Sequence, residues 1–435
     1  MNYIKKEIKQ NYTPVSALAR HIGQTVRVCG TVHKIRAMSG FAFVILRAGT
    51  TLLQCVYDER TADFSVTELE ENMSLCVTGT VVADTRSKIG FELQMHKVEI
   101  LSAPDEEPPI VISGKEINTS LSTRLDYRPL TLRNEKERAV FVVQAALTKG
   151  IRTFLEQNRF VEIHTPKIVS GSAEGGANVF ALDYFGTPAF LAQSPQFYKQ
   201  MMVGVLERVY EIAPVFRAEK HDTSRHINEY TSIDLEMGFV EDFTELMQLE
   251  SAMLSFAFSY VDEHCARELA LLGAVVPQIN EIPAITFDEA KALLGAPDGD
   301  DFEPTEEKRL CELIYKQTGS ELVFVTHYKT SKRPFYTCEN EKNPSVTDSF
   351  DLLFRGMEVT TGGKRIHDYK TQVQKMRRLG MDTEAFASYL MAHKYGLPPH
   401  GGMGIGLERL TAKLLGFDNV RRATLFPRDV NRLTP

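Results

Sequence analysis

The sequence predicts an α+β protein in which a small all-β unit precedes a larger unit that combines helices with an antiparallel sheet. Three observations predict it. Short β-rich runs, broken by Gly, Ser and Asp turns, fill the amino-terminal part. The proline-rich, acidic stretch Ala103–Pro109 then interrupts any regular structure. Beyond it, helical three- and four-residue apolar steps alternate with extended segments. At 435 residues, 43% of them hydrophobic and 25% charged, the chain can bury a core spread over two or three domains. No apolar run approaches the roughly 18 residues of a membrane span, and Met1–Gln10 lacks the apolar stretch of a secretory signal, so a cytoplasmic location is expected.

The β-rich runs are Thr25–His33, Phe41–Arg47, Thr51–Tyr57, Ser74–Val82 and Phe91–Ile100, and five such strands fit an OB-fold barrel over residues 1–102. Residues 103–130 are read as a linker or hinge, and 131–435 as the second domain, with an insertion around 262–345 that shows no chemical pattern. From Glu135 to Asn158, residues Val140, Val143, Leu147, Ile151 and Phe154 make one apolar helical stripe. Phe160–Pro166 follows as an extended piece ending in proline. Arg208–Arg217 and Tyr230–Phe239 read as two antiparallel strands joined by a polar loop. In the second, Thr231, Ile233, Leu235 and Met237 face one way and Ser232, Asp234 and Glu236 the other. The cysteines at 29, 55, 76, 265, 311 and 338 form no CxxC pair and no metal-ligand spacing; they are expected to be reduced and mostly buried, with neither zinc nor disulfides needed. A formal net charge of −7 argues against nucleic-acid binding by bulk attraction, but leaves room for a local basic face.

Four segments carry chemistry. Arg217 closes a strand, where a fixed planar cation can grip an α-phosphate; its bland alternative is a salt bridge with Glu219. The loop that follows packs Lys220, His221, Arg225 and His226 into seven positions, a density of donors suited to a folded triphosphate or, more simply, to an exposed turn. Gly401–Arg409 is a glycine-rich string that could be a phosphate-cradling turn, though it lacks the Lys-Ser/Thr of a P-loop. In Ser349–Arg365, read as a strand, Glu358 projects at the end with Thr361 three residues on and Arg365 beyond; a carboxylate beside a hydroxyl suits Mg²⁺ once phosphates complete its shell.

Taken together, and in this order, these segments resemble the motifs of class II aminoacyl-tRNA synthetases. Phe160–Pro166 resembles motif 1, Phe216–Glu229 motif 2 and Gly404–Arg409 motif 3. An OB domain ahead of them marks the subgroup that handles aspartate, asparagine and lysine. Within it the chain is most similar to the aspartyl enzymes of the archaeal and eukaryotic type: Ser172–Phe180 resembles their flipping loop, with Glu174 closing on the amino group, and Gln193–Lys199 their substrate-reading segment.

The resemblance implies a catalytic domain built on an antiparallel sheet flanked by helices, ATP as substrate, Mg²⁺ on Glu358 and Thr361, and catalysis by Arg217 and Arg409. L-aspartate would be bound by Glu174, Gln196, Lys199, Arg217, Thr361 and Arg365, with Lys199 and Arg365 as two cations facing its side-chain carboxylate. ATP would be held by Arg217, Ala218, Glu219, Arg225, His226, Ile227, Glu358, Gly406, Leu407, Glu408 and Arg409. Aspartyl adenylate forms first, and the terminal ribose hydroxyl of the tRNA then attacks it. On the barrel, Arg36, Phe43 and Gln54 would contact the anticodon, although the strand pattern alone favours Phe43 as core. His33 resembles members that charge both tRNA(Asp) and tRNA(Asn), whereas Lys88 stands where those members often have proline; the balance is read as relaxed, which implies a downstream amidotransferase. Motif 1 implies a homodimer. The rival readings are an asparaginyl enzyme, against which Lys199 argues, and a non-catalytic tRNA-binding regulator, against which the retention of Arg217, Glu358 and Arg409 argues.

Overall fold

The computed structural model describes residues 10–171, 178–296 and 299–435, so Glu174 lies outside the described residues. It divides into two compact units at Arg138/Ala139, within the helix Glu135–Gln157.

The amino-terminal unit is a closed barrel of β1 (Thr25–Met38), β2 (Phe41–Ala48), β3 (Thr51–Asp58), β4 (Ser74–Ala83) and β5 (Phe91–Ser102), in the order β1-β2-β3-β5-β4. Alternation builds it: Val26 and Val28, Val44 and Leu46, Leu53 and Cys55, Leu75 and Val77, Leu93 and Met95 point inward into one core. Phe43 lies on the other phase. It is half-buried on the outer face, edge-on to Phe41 at 5.7 Å, which corrects the reading of this residue as core.

The cysteine expectation is also corrected, because Cys29 and Cys76 are joined in a disulfide. They are direct partners in the antiparallel register of β1 and β4, with Cα atoms 4.1 Å apart. A separation of 47 residues carries no motif, and only closure of the barrel brings the two together. Cys55, Cys265 and Cys311 are free and buried, and Cys338 is free and half-buried. The stretch expected to be a linker carries specific bonds within the same unit: Asn134 Nδ2 donates to Ile112 O (3.0 Å) and Gly114 O (2.8 Å).

The second unit contains β6 (Val161–Glu162), β7 (Ile168–Val169), β8 (Ala181–Tyr184), β9 (Thr187–Leu191), β10 (Arg208–Phe216), β11 (Glu229–Gly238), β12 (Ala284–Thr286), β13 (Leu322–Thr326), β14 (Ser349–Phe354), β15 (Met357–Arg365) and β16 (His400–Gly406). Eight of them form a sheet ordered β12-β13-β14-β15-β16-β11-β10-β6, antiparallel except at the β12–β13 and β10–β6 pairs, and β7, β9 and β8 form a small sheet of three. The helix Glu135–Gln157 buries Val140, Val143, Leu147 and Ile151, and the helix Thr244–His264 buries Met253, Leu254, Phe258 and Val261. Both stripes join Ile233, Leu235, Met403 and Ile405 of the sheet in one core. The opposite face of β11 therefore turns Ser232, Asp234 and Glu236 away from this core, as the period-two pattern predicts. Among the described residues no helix is long and apolar enough to cross a membrane.

Candidate active site

A cleft open to solvent lies on that polar face of the sheet. Its floor depends on glycine. Residues 401–406 form the central strand β16, not the turn that the glycine-rich string suggests. A Cβ on Gly402 would sit 2.1 Å from Glu236 Oε2 and 2.2 Å from Leu235 O, so only a bare backbone lets the β11 carboxylates lie across the neighbouring strand.

At one end of the cleft four charged side chains interlock. Lys199, on the helix Gln196–Leu206, places Nζ 2.9 Å from Asp234 Oδ1, 3.0 Å from Met403 O and 3.4 Å from Glu236 Oε2. Arg365, the last residue of β15, donates Nε to Glu236 Oε1 (3.0 Å) and Nη2 to Gly402 O (2.9 Å). Burial alone would raise the Glu236 carboxyl, but Arg365 and Lys199 outweigh it and hold it below the ordinary range. Lys199 and Arg365, expected as two cations facing a substrate carboxylate, are also balanced by Asp234 and Glu236, which the sequence reading did not include, and Ser232 Oγ steadies Asp234 Oδ2 at 2.5 Å. Gln196 lines the same end.

The other end gathers Arg217, Glu219, Arg225, His226, Glu358 and Arg409. Arg217 follows β10 and lies over Tyr230 at 5.9 Å, with Nη1 3.9 Å from Glu219 Oε1, so the bland pairing exists but is loose. Its backbone is pinned across the loop: Arg217 N donates to Asn228 O (2.8 Å), and Asn228 Nδ2 donates to Arg217 O (2.7 Å) and Glu219 O (2.8 Å). Partial burial lowers the His226 pKa, and Nδ1 pairs with Thr223 Oγ1 at 2.6 Å. Ile227 is buried and lines the cleft.

Glu358 stands at the start of β15, after the Arg355–Gly356 turn, rather than at a strand end. Thr361 Oγ1 donates to Glu358 Oε1 at 3.1 Å. Residues three apart on a strand face opposite sides, yet these two meet because the β14–β15 register shifts between Leu352 and Leu353, leaving Val359 as an extra residue that re-aims Glu358. Arg409, in the first turn of the helix Leu407–Leu414, donates to Glu358 O (3.2 Å) and lies 3.8 Å from its carboxylate. Gly406 and Glu408 line the cleft; Glu408, whose pKa burial raises to about 7, receives Thr231 N on both oxygens at 3.0 Å. Leu407 packs into the core, and Ala218 contributes its backbone N–H to Asn178 O (2.8 Å), so neither side chain lines the cleft.

Two further residues come from the patternless insertion. Glu307, on the helix Pro304–Thr318, pairs with Arg225 and accepts Glu358 N at 3.1 Å; burial raises its carboxyl to about 7. Arg333 pairs with Asp351 at 2.8 Å and stacks on Tyr328 at 3.9 Å. Neither carries a local sequence signal, since each acts through a partner distant in the chain.

On the barrel, Arg36 and Phe43 are direct cross-strand partners, and Gln54 pairs with Ile45 one row along, so all three share the outer face. Gln54 Nε2 donates to Glu92 Oε2 at 3.0 Å. His33 is the extra residue of a β1 bulge between Val32 and Lys34; it is buried, and burial together with Arg47, Arg138 and Lys34 lowers its pKa. Lys88 is exposed in the β4–β5 loop.

Residues 120–430 match the family described as tRNA synthetases class II (D, K and N). The chain belongs to this family. Residues 26–101 match the OB-fold nucleic acid binding domain. The synthetase is 47% identical over 97% of its length, and 99% of the relative's, to an aspartate–tRNA(Asp/Asn) ligase of Thermus thermophilus. It is 38% identical to an aspartate–tRNA(Asp) ligase of Thermococcus kodakarensis, over 95% of this chain and 97% of that one. Among solved structures, asparaginyl-tRNA synthetase of Pyrococcus horikoshii with asparaginyl-adenylate superposes with a TM-score of 0.90 at 30% identity, covering 98% and 99% of the two chains.

Proposed function

We propose that this synthetase activates L-aspartate with ATP as aspartyl adenylate and transfers it to both tRNA(Asp) and tRNA(Asn). The observation that carries the amino-acid choice is the interlocked set Lys199, Asp234, Glu236 and Arg365. It holds an ammonium and a guanidinium at fixed positions along the cleft, where a substrate carboxylate can accept from them. An asparagine amide brings an NH₂ against those donors and leaves buried groups unpaired. The shared fold with an asparaginyl enzyme does not choose between the two amino acids; side chains do.

In the first step the α-carboxylate of aspartate attacks the α-phosphorus of ATP and pyrophosphate leaves. Arg217, at the nucleotide end of the cleft, would stabilise the charge that develops on that phosphate. Arg225, His226 and Arg409 would hold the remaining phosphates, and Glu219 and Ile227 would position the nucleotide. The donor set of Glu358 carboxylate and Thr361 hydroxyl, 3.1 Å apart and facing the cleft, fits Mg²⁺, which takes one or two protein oxygens and completes its shell with water and phosphate. When bound there it would neutralise phosphate charge. The outer barrel face with Arg36, Phe43 and Gln54 would receive the anticodon, and the His33 bulge and Lys88 loop would tune which anticodons are accepted.

Acceptance of tRNA(Asn) is supported by the 47% and 46% identical relatives, both named as aspartate–tRNA(Asp/Asn) ligases. A downstream amidotransferase would then convert Asp-tRNA(Asn). Pairing of two copies is supported by the position of β6 at the edge of the sheet with Val161 exposed, and a cytoplasmic setting by the reaction itself. Charging of separate tRNA(Asp) and tRNA(Asn) transcripts with labelled aspartate tests the reading. Aspartate on both is expected; aspartate on tRNA(Asp) alone would restrict the specificity, and on neither would overturn the function.

A further inference from the structure

One buried cluster beside the amino-acid end has no role in the account so far. Gln200 and His400 have no exposed surface, and Gln196 and Tyr389 almost none. With the His400 imidazole neutral, their hydrogen bonds take one assignment. His400 Nδ1 lies 2.9 Å from Pro398 O, which can only accept, so Nδ1 carries the ring proton. Burial lowers the His400 pKa to about 4; Glu236 opposes this, while Arg365 and His393 reinforce it. The imidazole is therefore neutral at pH 7 and its Nε2 must accept. The group 2.9 Å from Nε2 is then the amide nitrogen of Gln200. The Gln200 carbonyl oxygen faces the other way and accepts from Gln196 Nε2 (3.0 Å) and Tyr389 OH (3.4 Å). One N–H of Gln196 is given to Gln200, which holds the amide with its carbonyl oxygen turned away from Gln200 and available as an acceptor to the cleft that Gln196 lines.

We propose that His400 and Gln200 are positioning residues that fix the Gln196 amide with its oxygen toward the substrate, where it accepts from the α-ammonium group of aspartate. A reversed amide would set an NH₂ against that ammonium. The inference rests on the reading of Gln196 as a contact to the amino acid, and the test separates the two.

Aspartate-dependent pyrophosphate exchange at saturating ATP is measured for wild type, Gln196→Leu, Gln200→Leu and the double variant, with inhibition by succinate, which lacks the ammonium, as a parallel readout. Gln200→Leu raises the KM for aspartate about 10- to 100-fold, the size expected for losing a hydrogen bond to a charged group. Its kcat stays near wild type, as does its KM for ATP in a separate titration of ATP at saturating aspartate; succinate inhibits all four proteins equally, and the double variant is no worse than Gln196→Leu. An unchanged aspartate KM in Gln200→Leu beside a raised one in Gln196→Leu overturns the relay and leaves Gln196 as a contact. An unchanged KM in Gln196→Leu overturns both. Gln200→Glu, nearly isosteric, guards against a folding failure. The oxygen that replaces its nitrogen needs a proton shared with His400, among Glu236, Arg365, His393 and Tyr389. Its aspartate KM therefore rises as pH increases from 6 toward 8 while wild type stays flat, and a flat, wild-type-like profile overturns the relay.

Discussion

The two ends of the cleft are built on opposite principles. At the amino-acid end, the side chains of Lys199, Asp234, Glu236 and Arg365 are each no more than 6% exposed and are joined by contacts of 2.9 to 3.4 Å. At the nucleotide end, Arg217 and Glu358 are 39% and 37% exposed, and the Arg217–Glu219 and Arg409–Glu358 pairs stand 3.9 and 3.8 Å apart. Discrimination between two amino acids that differ by one polar atom needs fixed partners, so the selector is set before substrate arrives. A triphosphate brings its own strong charge, so Arg217 and Arg409 can stand loosely and keep their hydration until it binds, while Arg225 is held by a close partner, Glu307. One end should therefore couple activity to stability, and the other should not.

The largest effect expected is from Gly402→Ala. Its Cβ would collide with Glu236 and with the Leu235 backbone, costing about 3 kcal/mol or more and abolishing exchange, as thermal unfolding and pyrophosphate-exchange assays would show. Arg365→Leu comes next. Removing this partner leaves buried Glu236 with only Lys199, at 3.4 Å and shared with Asp234, to offset its charge, a loss of about 3 kcal/mol in urea unfolding. Adding Glu236→Leu should recover much of that stability but none of the activity, and recovery of both would break the contrast between the two ends. Arg217→Ala should do the reverse. Stability should change by less than about 1 kcal/mol, while kcat for exchange falls by about 10²- to 10³-fold.

The last contrast lies on the far side of the sheet and is read through pH. There Glu250 is fully buried, accepts Thr360 Oγ1 at 2.5 Å, and burial raises its carboxyl to about 8 from an unfolded value near 4.5. Between those two values the folded protein holds a proton that the unfolded chain releases, so stability falls as pH rises from 4.5 to 8 and levels off above. Glu307 and Glu408, both near 7, act in the same direction. Glu250→Gln should therefore shallow the fall in the unfolding midpoint between pH 5 and pH 8 without removing it; an unchanged slope would show that Glu250 is charged in the folded state.

What could be read from sequence was whatever local period or residue type determines. The alternation along 230–239 places Asp234 and Glu236 on the polar face, and the apolar steps from 140 place the helix stripe. Contacts set by register could not be read. The Glu358–Thr361 pair depends on a bulge at Val359, the Cys29–Cys76 bond on barrel closure, and the Glu307 and Arg333 contributions on an insertion whose residues act only through distant partners. The glycine string misled in an instructive way. Glycines that suggest a phosphate turn are here a strand made bare for neighbouring carboxylates, and nothing within 401–406 distinguishes the two cases until β11 is laid beside it.

The most direct test of the account is pyrophosphate exchange driven separately by L-aspartate and L-asparagine on the same preparation. The account predicts robust exchange with aspartate and a kcat/KM for asparagine lower by about 10³-fold or more. Equal exchange with asparagine, or exchange with asparagine alone, would contradict the assignment of Lys199, Asp234, Glu236 and Arg365 as the selector for a carboxylate.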